Sequence, residues 1–93
     1  MDLPVKYDNL SSYKKRTVRE EYTRVQNGKC AHCGENLSGK PSPSVRKMKV
    51  TRSLYPPNFF KWPVHLHHSH ETGLTIGAVH AVCNAVLWEH YDE

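Results

Sequence analysis

At 93 residues, 38% of them hydrophobic, the chain has room for one domain, whose core is marginal without a metal, disulfides or a partner subunit. Three cysteines, an odd number, exclude a fully paired disulfide framework, and no apolar run approaches the length of a membrane span. The net charge of +4 is unevenly spread: residues 1–63 carry +8 and residues 64–93 carry −4, with six of the seven histidines between His65 and His90.

A basic first two-thirds suits a polyanion, and a histidine-rich remainder suits a metal or proton-transfer site. The opening MDLPVKYDNL lacks the layout of a signal peptide, so an intracellular protein is expected.

Residues 1–16 read as an extended N-terminal arm, broken by Pro4, Asp8-Asn9 and Ser11-Ser12. Thr17 and Glu20 fit a capping box. Val18, Tyr22 and Val25 follow at i, i+4, i+7, and Asn27-Gly28 is a stop signal. A helix is therefore expected at about 17–27, with an earlier start within Tyr13–Arg16 left open, and with Arg19, Glu20 and Arg24 on its exposed face. It leads into Cys30-Ala-His-Cys33-Gly34, where the glycine allows the tight turn that aims two sulfurs at one ion.

Residues 35–63 form a basic insertion. Residues 35–44 are loop, with Gly39, Pro41 and Pro43. Val45–Tyr55 alternates loosely and predicts a strand carrying Arg46, Lys47, Lys49 and Arg52 as a basic strip for nucleic acid. Phe59, Phe60 and Trp62 are expected in the core rather than on a surface that stacks on bases. Val64–His68 predicts a strand, Glu71-Thr72-Gly73 a turn, Leu74–Val79 a second strand and residues 81–90 a helix with Val82, Val86 and Leu87 on its apolar side.

Two constellations carry chemistry. In the first, Cys30-x2-Cys33 and His80-x2-Cys83 are separated by 46 residues. Two pairs with two-residue spacers match a tetrahedral structural zinc site of three thiolates and one imidazole, closing a long loop. His32 lies inside the first pair and is expected at the surface.

The second is His65, His67, His68 and His70. On a strand His65 and His67 share one face, and His68 and His70 the other. One face can then hold a metal while the other offers a base. A divalent metal on His67 would stabilise charge building on a phosphate. A neutral His68 would take the proton from an attacking water. Asn84 lies one residue beyond the last zinc ligand, so the zinc fixes its amide.

The stretch His67-His68-Ser69-His70-Glu71-Thr72-Gly73, two short strands and His80-Ala-Val-Cys83-Asn84 resemble the His-Asn-His nucleases, closest to the phage recombination endonuclease VII type. The resemblance covers roughly residues 17–34 and 64–89. It implies an α+β, ββα-metal (His-Me finger) core, residues 64–91, stapled by a structural zinc and preceded by a helix and zinc knuckle, residues 17–34. It further implies His68 as general base, His67 and Asn84 as ligands of the catalytic divalent metal, and His70 assisting at the phosphate.

The chain departs from the family pattern at three places. His67 stands where the family has Asp, which favours Mn2+, Ni2+ or Zn2+ over Mg2+. His80 replaces a Cys, and Leu87 stands where junction-resolving members tend to place a Glu. The expected function is a metal-dependent DNA endonuclease, nicking or cutting both strands, with DNA as partner, no membrane and a possible homodimer. The alternative is a non-catalytic zinc-dependent nucleic-acid-binding module. A thiol redox protein using Cys30 and Cys33 would need a thioredoxin-like context that the sequence lacks.

Overall fold

The hairpin expected over residues 64–79 is the centre of the molecule in the computed structural model, which describes residues 2–91. Strand β1 (Val64–His68) pairs antiparallel with β2 (Thr75–His80), in the register His65 opposite Val79 and His67 opposite Gly77. Between His67 and His68 the register slips, so that His68 faces Thr75 and Ile76 is the extra residue. Such a bulge re-aims neighbouring side chains, here within the histidine run. Gly73, at φ 75°, makes the turn that Glu71-Thr72-Gly73 predicts.

Helices α1 (Ser12–Val25) and α3 (Ala81–Tyr91) both pack on the hairpin, and α2 (Pro43–Arg46) packs on α3. The core gathers Val18 and Tyr22 of α1, Leu37 and Val45 of the insertion, Leu66 and Val79 of the hairpin, and Cys83 and Val86 of α3. No helix among the described residues is long and apolar enough to cross a membrane. The result is a small α+β fold with a two-stranded sheet and a C-terminal helix.

Three expectations are corrected. Helix α1 starts at Ser12 because Ser11 is the N-cap, its side chain accepting a hydrogen bond from the Lys14 amide at 3.2 Å. Thr17 is inside the helix and donates to the Tyr13 carbonyl at 3.1 Å, so no capping box forms there. Val25, counted on the apolar face, is 51% exposed because the helix ends with it. Asn27 and Gly28 then adopt left-handed φ values of 56° and 73°, as the stop signal requires.

The N-terminal arm is ordered against the hairpin. Lys6 bridges Leu74, the Thr75 amide donates to the Val5 carbonyl at 2.9 Å, and the Tyr7 amide to the Gly73 carbonyl at 2.9 Å. A short 3-10 turn over Tyr7–Asn9 links it to α1.

Val45–Tyr55 is not a strand. Pro43 opens α2 at the first helical position, where its missing N–H costs nothing, and Arg52–Leu54 is a 3-10 turn. Arg46, Lys47, Lys49 and Arg52 are exposed, but off any strand. The segment is tied to α3: the Thr51 amide donates to the Glu89 carboxylate at 3.0 and 3.1 Å, and His90 Nε2 donates to the Lys49 carbonyl at 2.7 Å.

Candidate metal centre and histidine cavity

The ligand atoms of Cys30, Cys33, His80 and Cys83 all lie within 4.8 Å of one another. The knuckle forms because Gly34, at φ 81°, turns its amide back onto the Cys30 carbonyl at 3.0 Å. His80 ends β2 and Cys83 sits in the first turn of α3. His80 Nε2 donates to the Asn36 carbonyl at 2.8 Å, which leaves Nδ1 as the lone-pair nitrogen. That Nδ1 stands 3.5 Å from Cys33 Sγ and 3.6 Å from Cys83 Sγ. A tetrahedral zinc with ordinary bond lengths spaces nitrogen and sulfur about 3.5 Å apart. The thiols already interact: Cys30 is lowered to about 4, chiefly by its hydrogen bond with Cys83, and the same bond pushes Cys83 up. Donor set, spacing and outer hydrogen bond all fit a structural zinc. Among the described residues no second group of three or more His, Cys, Asp or Glu converges in this way.

His67, His68, His70 and Asn84 come together in another sense, since all four line one cavity of about 460 Å³. Lys15 and Arg19, one helical turn apart on α1, line it too, and no carboxylate among the described residues does. Arg19, assigned by sequence to a solvated face, is thus turned to the cavity. The basic strip of the insertion is not among its lining residues.

Tyr7, from the arm, lies flat on the His68 ring, with centroids 3.7 Å apart and planes at 10°. Lys15 Nζ caps the other partner, 4.4 Å from the Tyr7 centroid. His70, exposed in the turn, meets His68 edge-on at 5.2 Å. Burial first, then the neighbouring His70 and His67, hold the His68 imidazole below its usual range. It is therefore neutral near pH 7.

His67 is buried and also borders a smaller cavity of about 190 Å³ with His32 and Leu87. His32, expected at the surface, is half-buried there.

Asn84 is engaged by a residue to which sequence gave no role. Its Nδ2 is 3.1 Å from His65 Nδ1, and His65 Nε2 is 2.8 Å from the Phe59 carbonyl. A carbonyl only accepts, so His65 Nε2 carries the proton and Nδ1 accepts from the Asn84 amide. Burial, the larger cause, and Arg19 lower the pKa of His65 against its backbone partners, which keeps it neutral. The chain from Phe59 through His65 fixes the Asn84 amide and leaves its Oδ1 as the atom not used on His65. Only the shared strand face of His65 and His67 hinted at this in the sequence. Tyr7 and Lys15 were not legible, because a chain reversal brings them in.

In comparison with known proteins, no family model, no curated protein and no solved structure matches this chain.

Proposed function

We propose that the protein is a phosphodiester hydrolase, and specifically a metal-dependent DNA endonuclease of the ββα-metal class. One observation carries the reading: His67 and His68 of β1, His70 of the turn after it and Asn84 of α3 line a single cavity with two cations and, among the described residues, no carboxylate. A cavity of that charge favours an anion. A backbone phosphate meets Lys15 and Arg19 there, as charge partners in a partly desolvated site.

His68 is the general base. It is neutral, and its ring is stacked on Tyr7 and meets His70 edge-on, so it can take a proton from water without a conformational search. His70 lies beside it and can donate to a phosphate oxygen. His67 and Asn84 offer an imidazole and an amide oxygen, a pair suited to Mn2+, Ni2+ or Zn2+ more than to Mg2+. An ion held there would stabilise charge on the phosphate and its leaving oxygen. With two protein ligands and no carboxylate, the remaining positions fall to water and substrate. The structural zinc acts indirectly, by fixing the start of α3 and with it Asn84.

The test is zinc-loaded protein with supercoiled plasmid in Mg2+, Mn2+, Ni2+ or chelator, beside His68→Ala checked for retained zinc. The expected result is metal-dependent nicking, lost by roughly 10²-fold or more in the variant. Equal cutting by both would remove His68 as base. DNA binding with no cutting under any ion would instead favour a non-catalytic binding module.

A further inference from the structure

The aromatic segment expected in the core is not there. Trp62 is 61% exposed and Trp88, from α3, 43% exposed. Both line the same cavity as the histidines, as do Tyr55 and Phe59. The rings form a built wall. Tyr55 lies 4.5 Å from Phe59 and meets Trp88 edge-on at 5.7 Å. Its hydroxyl is fixed to α3, donating to the Ala85 carbonyl at 3.2 Å and Glu89 Oε2 at 2.8 Å. The wall starts at the chemistry, with the Phe59 ring 4.5 Å from His65.

One cavity thus has a cationic, histidine-lined end and an aromatic end in direct contact. A guest that satisfies both is an anion joined to a flat ring, which is a nucleotide. Exposed rings beside a phosphate site are the stacking platforms of single-strand recognition, and every base has a face to offer them. In intact duplex each base is covered by its neighbours and only phosphates reach such a site. We propose that Trp62 and Trp88 receive an unstacked base of the strand whose phosphate lies at His68, so that DNA with unpaired nucleotides is bound in preference to duplex. The proposal rests on the nuclease reading for its choice of strand and deepens it.

The chain's two tryptophans are both in this cavity, so tryptophan fluorescence, excited selectively, reports on it. Zinc-loaded His68→Ala protein, which leaves DNA intact, is titrated with three probes of equal length: a short single-stranded oligodeoxynucleotide, its duplex, and an oligomer of abasic deoxyribose phosphates. Quenching by the single strand is expected, with affinity about tenfold above that for the other two. Trp62→Ala and Trp88→Ala, at exposed positions and checked for zinc, should each weaken single-strand binding about fivefold and leave the abasic oligomer unchanged. Equal affinity for single strand and abasic oligomer, or binding without quenching, overturns the base site. Quenching by a protein that in its wild-type form cuts nothing sinks the nuclease reading and keeps the base site. Plasmid cutting with single-strand binding untouched by either tryptophan substitution does the reverse.

Discussion

An amide side chain looks the same to diffraction and to sequence in either orientation, yet only one orientation gives a metal an oxygen. Here the choice is made two bonds away. The Phe59 carbonyl forces the His65 proton onto Nε2, and the bare Nδ1 forces the Asn84 nitrogen inward. His65→Asn keeps an acceptor near the position of Nδ1, whereas His65→Gln puts its amide near the position of Nε2. Under the proposed reading, in which Asn84 and His67 hold a metal, the asparagine variant should therefore retain most Mn2+ affinity of the zinc-loaded protein, and the glutamine variant should lose about tenfold, the range typical of outer-shell ligand partners. Mn2+ titration followed by electron paramagnetic resonance reads this without a cleavage assay. The opposite ranking would show that His65 acts only through packing. The residues at this scale that sequence placed together were those with a fixed spacing, the Cys30, Cys33, His80 and Cys83 cluster and the His67–His70 run. The partners of His65 were not legible, because Phe59 sits in a Pro-bounded segment whose path no periodicity predicts.

Elements meet at Gln26, the C-cap of α1. Its side chain behaves like a short extra strand on the outer edge of β2. Oε1 accepts from the Ala78 amide at 2.9 Å, while Nε2 donates to the Ala78 carbonyl at 3.0 Å and the Lys29 carbonyl at 2.7 Å. Helix, knuckle and hairpin are joined by one amide. Gly77 lets it approach: a Cβ there would lie 2.9 Å from Gln26 Oε1 and 3.0 Å from Ala31 Cβ. Ala78 is fully buried, so Gln26→Ala strands its N–H and should cost about 1–3 kcal/mol, read as a fall in melting temperature of zinc-loaded protein. Gly77→Ala displaces the same amide, so the double variant should lose less than the sum of the two. Strict additivity would mean that Gln26 and Gly77 do not act on one contact. The hairpin and α3 were legible in the sequence because their alternation and turn signals agree with each other. Val45–Tyr55 misled because its alternation was loose and it has no neighbouring strand to pair with. The helix start at Ser42-Pro43 was the better signal.

For the whole molecule, a zinc held by Cys30, Cys33, His80 and Cys83 would decide whether there is a fold at all. A domain of this length has a net stability of about 5–14 kcal/mol, and structural zinc in small domains contributes about 10–16 kcal/mol. Here the ligands join the knuckle to the start of α3 across 46 intervening residues, and closing a loop of that order is by itself worth about 4 kcal/mol by analogy with a disulfide. Cys30 and Cys83 are also core residues, 3% and 0% exposed, so losing the ion would leave buried thiols crowded together with nothing to balance them. Strong chelation should therefore abolish the cooperative thermal transition and the helical circular dichroism signal together. One equivalent of Zn2+ should restore both, and Mg2+ should restore neither. Cys83→Ser should mimic the chelated state even with zinc present. Under the nuclease reading proposed above, weak chelation that removes only ions at the histidine cavity should stop cleavage while the melting temperature stays put, because an ion on His67 and Asn84 would join only β1 to α3, which already pack together. A chelated protein that melts at an unchanged temperature would remove the staple, and with it the physical reason for placing Asn84 beside the histidines.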